Sequence, residues 1–157
     1  MICINVHDFK RQYINPILKY KGIYIGDNGK EMKKAKTIQF KHENETWLRT
    51  LDYFQQENIF LKNRLAQIAM NHISRGLLNN LEAYQNKFIN KDALIALIRR
   101  DIAEQEQLLR KDLNEDDHLF EKIIAKQEKL RNDVQSMERE FTALKFDFNK
   151  YLGETLK

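Results

Sequence analysis

Apolar residues recur along most of the chain in alternating steps of three and four. The first such line is Trp47, Leu51, Phe54, Asn58, Leu61, Leu65, Ile68 and His72. This spacing keeps one stripe of a helix turned toward a neighbour, as in coiled coils and tight bundles. Asn44 reads as its N-cap, and Ser74-Arg75-Gly76 as its end, so a helix is expected over about 44–74. A second line follows Leu81, Tyr84, Phe88, Lys91, Ile95, Ile98, Ile102, Gln105 and Leu109, with Asn79 and Glu82 at capping-box spacing. It gives a helix over about 80–112. The third runs Phe120, Ile123, Gln127, Leu130, Val134, Met137, Phe141, Leu144, Phe148 and Tyr151. Asn114-Glu115-Asp116-Asp117 offers caps and acids suited to a helix N-terminus, and Gly153 an end, placing that helix at about 116–152. Links this short make successive helices antiparallel. The fold class is therefore all-α: an up-down-up bundle of three long helices.

Residues 1–41 follow another pattern and read as a separate segment preceding a bundle at 42–157. They mix aromatic and β-branched residues with Gly22, Gly26, Gly29 and the single Pro16. Ile23-Tyr24-Ile25 before Gly26-Asp27-Asn28-Gly29 suggests a strand entering a turn, with Thr37-Ile38-Gln39-Phe40 returning as a hairpin. An unstructured arm, or a native start at Met32, are the alternatives.

Polar residues interrupt the seams at Asn58, His72, Lys91, Gln105 and Gln127. Such residues fix register at some cost in stability. Folding the hairpins about residues 76 and 115 brings Trp47, Gln105 and Gln127 to one level, where two amides and an indole N–H can satisfy one another. Lys91 is expected to snorkel rather than serve as a buried amine.

Charge changes the picture mainly at the N-terminus. Nine Lys or Arg face three acids in residues 1–41, against eighteen and twenty in the remainder. Lys10, Arg11, Lys19, Lys21, Lys33, Lys34 and Lys36, with Lys30 and Lys41, are candidate phosphate contacts, and Tyr13, Tyr20 or Tyr24 could stack on bases. Lone Cys3 forms no internal disulfide and suits a reducing, cytoplasmic setting. No apolar run approaches the length of a membrane span, so no membrane role is expected.

Catalytic patterns fare poorly. Glu115 and His118 have E-x-x-H spacing, but a di-iron bundle needs two such pairs and two further glutamates projecting mid-helix. His7, His42, His72 and His118 are scattered, Ser74 and Ser136 lack a G-x-S-x-G setting, and Gly26–Lys30 lacks the G-x-x-x-x-G-K-[ST] pattern. Glu104 and Glu106 sit about 200° apart on a helix and form no acid–base pair. No catalytic residue, metal or cofactor is assigned. What remains is surface: Tyr53, Ile59, Phe60 and Phe146 fall off the seams, as a docking face for the N-terminal arm, a second copy or a partner. The expectation is a non-enzymatic interaction or scaffolding module, with nucleic-acid association through the basic segment as the alternative.

Overall fold

In the computed structural model, residues 15–71, 75–113 and 116–155 are described, with side chains from residue 29 and, in the second stretch, from residue 76. Three helices account for nearly all of them: α1 at Asn15–Asn71, α2 at Arg75–Leu108 and α3 at Asp117–Thr155. At 1.5 Å per residue these are about 86, 51 and 58 Å long. Among the described residues no helix is long and apolar enough to cross a membrane.

Side-chain pairs fix direction and register. Tyr84–Asp147, Lys91–Glu140, Gln105–Gln127 and Glu104–Lys126 step forward along α2 and backward along α3, so these helices are antiparallel. Asn58–Asp92 and Asp52–Arg99 relate α1 to α2 in the same sense. Glu43–Arg131, Glu57–Lys145 and Arg64–Asn149 advance together, so α1 and α3 run parallel. The up-down-up bundle expected from the seams is the observed fold.

Its start differs from expectation. Thr37–Phe40 is not a strand but a turn of α1, in which Thr37 Oγ1 donates to the Lys33 carbonyl at 2.8 Å. Ile23–Ile25 and Gly26–Gly29 also fall within α1. The reason lies in packing: Phe40 is 6% exposed and joins Leu109, Leu113, Phe120 and Ile123 in an apolar cluster at one end of the bundle. Burial there outweighs the local strand and turn preferences of the segment. Asn44, expected as a cap, is a fully buried interior residue, and α1 passes the 41/42 boundary unbroken. With Lys33 level with the first turn of α3, the helix before it runs past that end instead of folding back over Tyr53 and Phe60.

The other ends behave more nearly as read. Asp116 caps α3, its Oδ1 accepting the Leu119 N–H at 2.8 Å and its carbonyl the Phe120 N–H at 3.1 Å. Gly76 and Asn79 are inside α2, which begins earlier than the capping box suggested, and Gly153 is inside α3. His72, Ser74, Asn114 and Glu115 lie outside the described residues.

A polar layer separates the end cluster from the longer core around Leu51, Phe88, Ile98, Met137 and Phe148. Gln105 Nε2 donates to Gln127 Oε1 at 3.0 Å and to the Ile123 carbonyl at 2.8 Å. The partner from α1 is Asn44 rather than Trp47: Gln127 Nε2 donates to Asn44 Oδ1 at 3.2 Å, while Trp47 packs on the apolar core. A second polar point is Asn58, fully buried, donating to the Phe88 carbonyl and to Asp92.

Candidate functional site

The off-seam aromatics are exposed, Tyr53 by 57%, Phe60 by 60% and Phe146 by 72%. Their positions follow from the helix registers. Glu57 and Arg64 of α1 reach Lys145 and Asn149 of α3, and Tyr53 and Phe60 share that side of α1. Phe146 lies about 100° round α3 from Lys145 and nearly opposite that helix's buried stripe, so it points outward from α3. Tyr53 and Phe60 therefore border the α1–α3 seam beside the Lys145–Glu57 and Arg64–Asn149 contacts, while Phe146 stands on the outer face of α3 beyond it. Tyr53 is held edge-on against Phe54, ring centroids 5.2 Å apart, and Phe54 against buried Phe141 at 5.1 Å. The exposed ring is thus tied to the core. Lys145 is raised above the usual lysine range, chiefly by its hydrogen bond to Glu57 against some desolvation, with the charge of Glu57 and nearby Tyr53 adding to it. Ile59, 39% exposed, is turned about 100° from Phe60, on the α2 side, and does not belong to this group.

The basic residues divide differently. Lys10 and Arg11 lie outside the described residues, as do the side chains of Lys19 and Lys21. Lys33 is 8% exposed and turns inward, donating to the Leu113 carbonyl at 2.8 Å, pairing with Asp117 at 2.6 Å and lying over the Phe120 ring. It ties α1 to the turn between α2 and α3, which removes it from the candidate phosphate contacts. Lys34 is exposed and Lys36 half-buried. A groove of about 500 Å³ lies between this part of α1 and residues 109–113, and Lys30, Lys34 and Lys41 line it from one side. Lys111 joins from the turn. Sequence reading had no means of adding Lys111, which is 70 residues from Lys41 and reaches the groove only because the α2–α3 turn packs there.

Between these two surfaces lies a buried-edge network centred on Glu43. Arg131 Nη2 donates to both its carboxylate oxygens, at 3.0 and 2.9 Å, and Gln127 and Gln39 each donate to one. Burial pushes the Glu43 carboxyl upward, but these donors together outweigh it and hold the group below the usual carboxylate range. The arrangement joins α1 to α3 beside the polar layer, in which Asn44 Nδ2 and Gln105 Oε1 have no hydrogen-bond partner among the described residues. At the far end Tyr84 donates to Asp147 at 2.9 Å. Burial first, then that carboxylate, pushes its hydroxyl up to about 12.

A second hollow of about 470 Å³ between α2 and α3 is lined by Lys87, Lys91 and Asp147, with Lys91 paired to Glu140 and Asp147 to Tyr84. His42 is exposed beside Glu45 at 3.8 Å, and His118 is exposed in the first turn of α3. Among the described residues no three His, Cys, Asp or Glu side chains are grouped to hold a metal. Cys3 and His7 lie outside them. No family model, curated protein or solved structure matches the chain.

Proposed function

We propose that this protein is a non-enzymatic interaction module, of cytoplasmic setting, that binds a protein partner or a second copy of itself along the outer edges of the α1–α3 seam. The observation that carries this reading is the placement of Tyr53, Phe60 and Phe146. Tyr53 and Phe60 stand exposed beside the α1–α3 seam, and Phe146 on the adjoining outer face of α3, on a bundle whose core is filled without them. Scattered exposed apolar side chains are ordinary; aromatic rings gathered on one face are what interfaces use as anchors. The polar pairs along the seam, Glu57 with Lys145 and Arg64 with Asn149, supply a polar component beside Tyr53 and Phe60.

A photoreactive phenylalanine analogue placed at Phe60 or at Phe146 in the full chain, expressed in its own cells, tests this. The expected result is a discrete adduct from both positions, its mass showing whether the partner is a second copy. No adduct should form from Leu97, which is 44% exposed on the outside of α2. Equal labelling from all three positions, or none from any, would contradict the proposal.

A further inference from the structure

We propose that the lysine-lined groove between α1 and the α2–α3 turn binds the phosphate backbone of nucleic acid without reading its sequence. The inference concerns a surface distinct from the aromatic flank and stands independently of it.

Elsewhere in the bundle many basic side chains are paired. Those without a carboxylate partner among the described residues, such as Arg49, Lys122 and Lys150, are spread along the helices; convergence of several such lysines on one hollow sets this groove apart. Lys62, Lys91, Arg99, Lys126, Arg131 and Lys145 each meet a carboxylate on a neighbouring helix. Lys30, Lys34, Lys41 and Lys111 are exposed, line one hollow, and have no carboxylate partner among the described residues. Among the described residues of its lining, Glu31 and Asp112 are the acids. Like charges converging from two elements leave a positive field that counter-ions or a polyanion must neutralise.

The layout selects among anions. Lys30, Lys34 and Lys41 share one stripe of α1, and the eleven steps from first to last span about 16 Å. A line of flexible point charges this long suits successive phosphates along a strand. A single phosphate would call for a cradle of backbone N–H groups, whereas this stripe lies mid-helix, where those groups are already bonded. Among the described residues of its lining the apolar ones are Ile38, Leu109 and Leu113, and none is an aromatic ring to stack on a base or an arginine to read one. Contacts limited to phosphate give affinity without sequence preference. A membrane surface is disfavoured because Ile38 is the exposed apolar side chain in the lining, too little to enter a bilayer.

The test is fluorescence anisotropy of a labelled 20-nucleotide duplex and its single strand, titrated with the full chain over a range of salt concentrations. The comparison protein is the K30Q/K34Q/K41Q/K111Q variant. These four side chains are exposed and make no ion pair among the described residues, so the variant should keep its helical circular dichroism and melt no lower than the parent. Binding by the full chain should weaken steeply with salt. The variant should lose about tenfold or more in affinity, with a salt slope reduced by roughly one unit for each engaged lysine. Lys150→Gln, at the other end of the bundle, should leave both unchanged, as should the F60S/F146S substitutions. Undiminished binding by the quadruple variant, binding indifferent to salt, or absence of binding at low salt would overturn the proposal. So would a preference for phosphatidylserine vesicles or polyglutamate over either nucleic acid.

Discussion

Gln127 joins all three helices through one amide. Its Oε1 accepts from Gln105 on α2, and its Nε2 donates to Glu43, Asn44 and, at 3.4 Å, the Phe40 carbonyl on α1. Replacing it with Leu strands several buried polar groups at once, so Gln127→Leu should cost about 2–4 kcal/mol in urea unfolding. Adding Gln105→Leu should cost less than the sum of the two single changes, because the second removes a group the first had orphaned. The same residues set the pH response. Glu43 titrates below its usual value of 4.5, so its contribution to stability is complete above that pH and is lost as pH falls through the folded value. Tyr84 shifts the other way, from 10.0 to about 12, so its contribution holds below pH 10 and is lost as pH rises from there to 12. Thermal melts across pH should therefore show an acid limb flattened by Glu43→Gln and an alkaline limb flattened by Tyr84→Phe.

Among the elements, α2 and α3 were legible because their seams are apolar almost throughout and their interruptions few. The Gln105–Gln127 level followed from loop position alone, since two antiparallel helices have one register once their turn is placed. The first half of α1 is not legible as helix, although continuing the three–four steps back from Trp47 lands on Asn44, Phe40, Thr37 and Lys33. Three of these are polar or charged residues that ordinarily mark a surface or a cap, and Asn44 has the character of a helix start. Their burial is intelligible only with the partners in place: Gln127 for Asn44, and Leu113 and Asp117 for Lys33. Lys33→Met should accordingly leave α1 helical but loosen the turn it holds, raising amide hydrogen exchange over residues 109–119. Asp116→Ala should remove the cap of α3 at a cost of about 1 kcal/mol.

At the scale of the whole molecule, two parallel helices, α1 and α3, stand side by side with α2 returning between their ends. That arrangement gathers features far apart in sequence. Phe60 comes to border the seam that Lys145 and Asn149 of α3 form with α1, and Lys111 comes to face Lys30, Lys34 and Lys41 across a groove. Neither grouping could be found from periodicity, which orders residues around each helix but says nothing of which outer faces become neighbours. It named Tyr53, Phe60 and Phe146 individually and grouped Ile59 with them; the registers place Ile59 elsewhere. The central claim is that the aromatic flank serves association rather than folding. Its most direct test is a quantitative comparison of crosslinked complexes formed in cells by the full chain and by F60S/F146S, at matched amounts of folded protein. The account predicts that the complex is lost while unfolding free energy changes by no more than about 0.5 kcal/mol per site. Retention of the complex at parental levels would contradict it.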